Sequence, residues 1–159
     1  MSKVYSLRSV QVLPVTVEAA WAFFSCPANL NAITPGSMQF RIISKHHGEL
    51  IYPGQVIEYK LKPVLNIPLY WMTEITHVND KKYFVDEQRF GPYAMWHHQH
   101  HFKETEQGVE MTDIVHYKLP YWFLGDFANW LFVKKQLKDI FDYRKSKITE
   151  LFGSPGLVV

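Results

Sequence analysis

Five consecutive residues, His97-His98-Gln99-His100-His101, hold four of the chain's eight histidines. Imidazole is the side chain whose ordinary pKa lies nearest neutral pH, so such a run offers proton transfer, metal ligation or polar contact with a ligand. In an extended strand, alternate side chains point to opposite faces. Trp96, His98, His100 and Phe102 then share one face, and His97, Gln99, His101 and Lys103 the other. The Trp/Phe face is the more apolar and is expected to point inward. Beyond the turn at Gln107-Gly108, the next segment offers Met111, Asp113, Val115 and Tyr117 on one face and the more polar Glu110, Thr112, Ile114 and His116 on the other. Matching apolar face to apolar face sets His100 opposite Asp113 and Trp96 opposite Tyr117.

On its other side the histidine strand follows the hairpin Gly91-Pro92-Tyr93-Ala94. Pairing Phe90 with Trp96 predicts Gln88 opposite His98 and Asp86 opposite His100. A slip of two residues would set Asp86 beside His98 and keep the same group together. Trp71, Thr73 and Ile75 of the preceding strand belong on this face too, because the opposite choice would press Glu74 against Asp86.

Asp86, His100 and Asp113 are thus the candidates for catalysis, with His100 as a general base oriented by a carboxylate. The same cluster also reads as a polar floor that contacts a ligand, or as a self-satisfied hydrogen-bond network that fixes strand register. His98-x-His100 with Asp113 has a spacing that metal sites use, but carboxylate pairing already accounts for the imidazoles, so no metal and no cofactor is expected. His97, His101 and His116 are expected to be solvated. Arg144 interrupts an apolar helical stripe and should lie near Phe102, Met111 and Asp113, paired with a carboxylate or facing an anionic group on a ligand. Ligand contacts are expected from Trp71, Gln88, Trp96, His98, His100, Phe102, Tyr117, Phe127, Phe141 and Arg144. The chain carries no nucleophile motif, phosphate-binding glycine loop or Cys-His pair.

Positioning these groups requires a sheet. Residues 3–13 alternate as a first strand, which Pro14 ends. Thr16 can cap a short helix over Val17 to Phe24, with Glu18 in its first turn, and Pro27 opens a second short helix to about Ile33. Six further strands are expected at 39–44, 55–63, 68–78, 82–90, 95–104 and 109–119, separated by turn residues such as Pro53-Gly54, Asn79-Asp80 and Gln107-Gly108. Connections this short make hairpins, hence an antiparallel meander. A long helix from about Trp122 to Phe152 follows. Its stripe is Phe127, Trp130, Val133, Leu137, Ile140, Phe141, Ile148 and Leu151, and Gly153 and Pro155 end it. The rings of Tyr121, Trp122 and Phe123 precede the regular helix and read as a pocket rim or a partner-docking patch, with Phe23, Phe24 and residues 29–35 as the opposite rim.

The chain has 159 residues, enough for one domain from 1 to 159 with a short tail from about 153. Aromatic residues reach 16%. A net charge of only +2 argues against a nucleic-acid binder, which needs a concentrated basic face. A single cysteine, Cys26, excludes an internal disulfide framework and Cys-rich metal sites. The start has no hydrophobic leader, and the greasiest stretch, Leu119 to Val133, is too interrupted to span a bilayer. A cytoplasmic protein without stable membrane insertion is the expectation.

The order of elements resembles the helix-grip fold of the START/Bet v 1-like (SRPBCC) superfamily over nearly the whole chain. The segment Phe84 to Phe102, with Met111-Thr112-Asp113, Tyr117 to Pro120 and Ile140 to Arg144, is similar to the bacterial ligand-binding branch described as cell division inhibitor-like or as polyketide cyclase and lipid transport proteins. The resemblance implies an α+β fold, with a curved seven-stranded antiparallel sheet wrapped around a long C-terminal helix and two short helices after the first strand. It also implies a cavity for a small hydrophobic or aromatic ligand. Two other functions stand beside ligand binding: an aromatase/cyclase- or dehydratase-like enzyme, and an accessory domain docking on an epimerase-like partner protein.

Overall fold

The computed structural model describes residues 3–45, 49–62, 67–120, 127 and 132–156. Strand β1 (Tyr5–Leu13) leads into helix α1 (Val17–Phe24), then short 3-10 turns at Pro27–Ile33 and Gly36–Met38. Strands β2 (Arg41–Ile42), β3 (Val56–Leu61), β4 (Leu69–Asn79), β5 (Tyr83–Phe90), β6 (Met95–Thr105) and β7 (Gly108–Lys118) follow, and helix α2 (Lys134–Phe152) comes last. The strands form one seven-stranded sheet in the order β1-β7-β6-β5-β4-β3-β2, with every neighbouring pair antiparallel. Only β1 is displaced from its place in sequence. It closes the sheet by pairing along the full length of β7, from Tyr5 opposite Tyr117 to Leu13 opposite Val109.

Local chemistry explains the elements. The Thr16 hydroxyl accepts from the Ala19 amide at the start of α1, and Val17, Ala20 and Trp21 bury one face of that helix. Register shifts between Met72 and Thr73 and between Ile75 and His77 place bulges in β4. Bulges bend a strand and increase its twist, which is what a sheet needs to curve around a helix.

Helix α2 lies across the sheet. Leu137 and Phe141 pack with Val115 and Tyr117, whereas Ile148 joins the core of Leu13, Trp21, Phe84, Phe102 and Met111. Its C-terminal end is tied to β1, because the Gln11 side-chain amide donates to the Lys145 carbonyl and the Thr149 hydroxyl at 3.0 and 2.9 Å. Phe152 sits edge-on to Phe23 of α1, with ring centres 5.0 Å apart.

The expected helical stripe needs correction at its two ends. Leu137, Phe141 and Ile148 are buried as expected, but Phe127 and Leu151 are 60% and 50% exposed. Phe127 therefore does not supply the cavity contact expected of it. Trp130 and the aromatic run Tyr121, Trp122 and Phe123 lie outside the described residues.

The inner strands keep the expected faces and change one register. Across β6 and β7, His100 is opposite Asp113 and Trp96 opposite Tyr117, as the alternation predicts. Across β5 and β6, Asp86 is opposite His98 and Phe84 opposite His100, two residues from the Phe90–Trp96 pairing. The reason lies in the hairpin. The Gln88 side chain folds into the loop, accepting from the Tyr93 amide at 3.2 Å and donating to the Tyr93 carbonyl at 2.7 Å. The strand ladder accordingly stops at Glu87–His97, and a side chain closes the turn in place of backbone. Gly91 makes this possible, since a Cβ there would lie 2.5 Å from Gln88 Oε1. Gln88 is thus a loop-closing residue and not part of the cavity floor.

Candidate functional site

Between the concave face of the sheet and α2 lies a cavity of about 520 Å³. Its walls come from strands β3 to β6, helix α2, the segment after β1 and connecting loops. The sheet contributes Tyr59 from β3, Trp71, Thr73 and Ile75 from β4, Phe84 and Asp86 from β5, and Trp96, His98 and His100 from β6. Helix α2 contributes Gln136, Leu137, Ile140, Phe141 and Arg144, and the segment after β1 contributes Phe23, Phe24, Asn29, Leu30, Ile33 and Thr34. The expected rim of Phe23, Phe24 and residues 29–35 is therefore largely in place.

One wall is an aromatic cluster. Trp71 and Trp96 meet at right angles with ring centres 5.3 Å apart, and Tyr93 lies 5.5 Å from Trp71 and 4.9 Å from Trp96. Edge-to-face arrangements suit the charge distribution of aromatic rings and present a broad, weakly polar surface. The Trp71 indole N–H is spent on the Thr73 hydroxyl at 3.0 Å. Tyr59 and Tyr93 were not singled out by the histidine-centred pattern. Tyr59 was legible, because Ile57, Tyr59 and Leu61 alternate toward one face of β3. Burial, and then the charge of Asp86, push its hydroxyl pKa well above the ordinary value, with a hydrogen bond to Thr73 opposing. Tyr93 was not legible, since it lies in the hairpin loop and no period reaches it.

The opposite character is concentrated in four side chains. His98 Nε2 donates to Asp113 Oδ1 at 3.0 Å, and His100 Nε2 donates to Asp86 Oδ2 at 2.8 Å. The second nitrogens point the other way around. His98 Nδ1 lies 3.6 Å from Asp86 Oδ2, and His100 Nδ1 lies 2.9 Å from Asp113 Oδ1, although out of line for a hydrogen bond. Each imidazole therefore spans the two carboxylates, and the rings lie against each other with centres 3.8 Å apart. Phe84 stacks on the far face of His100 at 4.1 Å. His98, His100 and Asp113 are only 4%, 5% and 7% exposed.

Burial and charge pull these groups in different directions. Burial works against charge on both aspartates, but the two histidines outweigh it, and Asp86 and Asp113 are held below the ordinary carboxylate range with help from Arg144. Burial lowers His98, and the neighbouring charge of His100 lowers it further than the carboxylates restore. Burial also opposes charge on His100, but the nearby carboxylates of Asp113 and Asp86 prevail and its pKa is raised. The two neighbouring imidazoles are thus pushed in opposite directions, His100 up and His98 down.

Arg144 is half-buried in the cavity wall with its guanidinium 5.4 Å over the Phe141 ring. It makes no ion pair with a carboxylate among the described residues. Its charge nevertheless reaches Asp86 and Asp113 across the site.

Of the other expected contacts, Trp71, Trp96, His98, His100 and Phe141 line the cavity together with Asp86. Gln88, Phe102, Tyr117 and Phe127 do not. Phe102 is enclosed by Trp21, Phe24 and Phe84, and Tyr117 by Tyr5, Tyr93 and Trp96, so both are core. Asp113 reaches the site through the two histidines and lies behind them.

No protein-family model and no curated protein matches the sequence. Solved structures do match in shape. Protein CV1439 from Chromobacterium violaceum superposes with a TM-score of 0.71 at 11% identity, covering 93% of this chain and 97% of that one. The ginseng major latex-like protein 151 from Panax ginseng gives 0.67 at 12% identity over 94% and 97% of the two chains. Norcoclaurine synthase of Thalictrum flavum, a point mutant in complex with a transition-state analogue, gives 0.65 at 14% identity over 95% and 98%. What these chains share at such identities is their architecture, and with the curved sheet and long last helix described above it shows the helix-grip fold of Bet v 1-like proteins.

Proposed function

We propose that this protein binds a small hydrophobic or aromatic molecule between the sheet and α2. The observation that supports it is a cavity of about 520 Å³ with mainly apolar walls, to which Asp86, His98, His100 and Arg144 bring charged or titratable groups. Small-molecule sites are commonly built this way, with apolar walls supplying affinity and a few convergent polar groups supplying orientation. The matching norcoclaurine synthase structure, a complex with a transition-state analogue, adds support.

Displacement of a fluorescent apolar dye, 1-anilinonaphthalene-8-sulfonate, by fatty acids, flavonoids and polycyclic aromatics tests the reading. Binding of the better probes in the micromolar range is expected, about −8 kcal/mol. Ile140→Trp, which places a larger ring in the cavity wall, should weaken it at least about tenfold, or ~1.4 kcal/mol. Displacement by none of these classes, or equal affinity in the Ile140→Trp variant, would overturn the proposal. Native mass spectrometry of protein taken from its own host would identify a co-purifying ligand.

A second reading is favoured by one observation, two imidazoles with centres 3.8 Å apart on the cavity wall, each hydrogen-bonded to a different aspartate. An acid and a base on one apolar wall suit a proton-transfer enzyme of the cyclase or dehydratase kind. Its signature would be a co-purifying molecule that the wild-type protein converts and the His100→Ala variant only binds.

A further inference from the structure

The register found across β5 and β6 changes what the histidines can hold. With Asp86 opposite His98, one carboxylate oxygen faces nitrogens of both rings, Nε2 of His100 at 2.8 Å and Nδ1 of His98 at 3.6 Å. On the far side, Asp113 Oδ1 meets the remaining nitrogen of each ring, at 3.0 Å from His98 Nε2 and 2.9 Å from His100 Nδ1. If each ring carries its proton on the nitrogen nearer Asp113, the two lone pairs that remain lie on the Asp86 side, next to Asp86 Oδ2. Two lone pairs and a carboxylate oxygen this close together favour a positive charge between them. A proton on His100 supplies one such charge. A metal ion supplies a larger one and uses all three donors.

We infer that Asp86, His98 and His100 form a binding site for a first-row divalent transition-metal ion, opening onto the cavity, with Asp113 as the positioning residue behind both imidazoles. This geometry meets the requirements of such a site. The three donor atoms lie within 4.8 Å of one another. Donors in a tetrahedral zinc site stand about 3.3 Å apart, given bonds of roughly 2.0–2.2 Å, and the two Asp86 distances straddle that value. Two imidazoles and a carboxylate suit zinc or ferrous iron better than calcium or magnesium, which prefer oxygen donors. A carboxylate on the second nitrogen of a ligating histidine is the usual means of fixing the tautomer and ring orientation, and Asp113 Oδ1 stands in that place for His98 at 3.0 Å and lies beside His100 Nδ1 at 2.9 Å. Three protein donors leave the remaining coordination positions to the cavity side, where a bound molecule would meet the ion.

The test uses the metal alone, so its outcome does not depend on the ligand proposal. Full-length protein prepared without a histidine tag and stripped with a chelator is titrated with Zn(II) against a chromophoric chelator, and with Co(II) by visible absorption. One equivalent of Zn(II) should bind at sub-micromolar affinity, and Co(II) should give the intense absorption of a four- or five-coordinate site. Asp86→Asn and His98→Ala should each weaken binding by about 100-fold or more, and Asp113→Asn by about 10–100-fold. The double variant His97→Ala/His116→Ala, on the outer face of the sheet, should bind as the wild type does. Circular dichroism establishes that each variant is folded, and Asp86→Asn, which is nearly isosteric, carries the test if a histidine variant is not. Well under one equivalent in the wild type would overturn the inference. So would a site that survives Asp86→Asn or disappears in the outer-face double variant.

Discussion

His97 and His98 are adjacent in the chain, and the two faces of β6 place them in different solvents. On the outer face, His97 donates to Glu87 at 2.7 Å with both side chains about 30% exposed, and Arg89 bridges Glu87 and Glu74 in the open. On the inner face, His98 and His100 meet two aspartates with almost no water, and Arg144 faces the cavity with no carboxylate partner among the described residues. Both faces therefore carry histidine, carboxylate and arginine. The difference is dielectric. An exposed ion pair is screened and contributes little, whereas each buried charge must be matched or its group changes protonation state. The inner cluster is consequently where removing one partner is expensive and where two identical side chains are pushed in opposite directions.

The largest contrast is expected at the carboxylates. Asp113→Ala leaves a charged His100 and the donor of His98 without their partner and should destabilise the protein by about 3–5 kcal/mol in urea unfolding. Glu87→Ala, its outer counterpart, should cost no more than about 1 kcal/mol. Similar costs for the two would break the comparison. The histidines come next. His100→Ala should cost about 1–3 kcal/mol, with the two carboxylates left facing each other, and His97→Ala should stay within about 0.5 kcal/mol. Equal effects would mean that the faces are wrongly assigned.

The pH dependence sharpens the contrast within the inner face. Histidine ring signals of the metal-free protein, followed by NMR, should show His100 titrating above the ordinary value of about 6.5 and His98 below it. The stability that His100 contributes is then complete below about pH 6.5 and is lost as the pH rises through its folded value. His98 acts in the opposite sense, losing stability as the pH falls below about 6.5, because the unfolded chain takes up the proton more readily. Two rings titrating together at the ordinary value would remove the opposite displacement of the pair. The smallest effect on stability is expected at the arginines. Arg89→Ala and Arg144→Met should each shift unfolding by under about 1 kcal/mol, but only Arg144→Met should lower affinity for carboxylate-bearing probes relative to neutral ones, by roughly threefold. An equal loss for both kinds of probe would deny Arg144 its role toward the ligand.

Much of this arrangement was legible in the residues. The turn dipeptides delimit the strands, and the Trp96/Phe102 side identifies the inward face of β6. Apolar matching then brings Asp113 to His100. Trp71, Thr73 and Ile75 do share the inward face of β4, but not because Glu74 avoids a carboxylate: it stands opposite Glu87 on the outside, with Arg89 paired to both. The composition of the cavity wall was less legible. Tyr93 lies in a loop, and Phe102 and Tyr117 share the inward face with the site residues but are covered by neighbouring rings. Alternation says which way a side chain points and not whether anything packs over it.

What the sequence determined by itself is the set of elements and the faces of its strands, because both follow from periods written along the chain. What only the tertiary structure decided is the pairing of Asp86 with His98. Side chains repeat every two residues along a strand, so a slip of two leaves every apolar residue on its own face, and the hydrophobic pattern is blind to it. The choice is made instead by the Gln88 side chain closing its hairpin onto Tyr93, with Gly91 leaving room for it. That one contact sets one aspartate between two histidines.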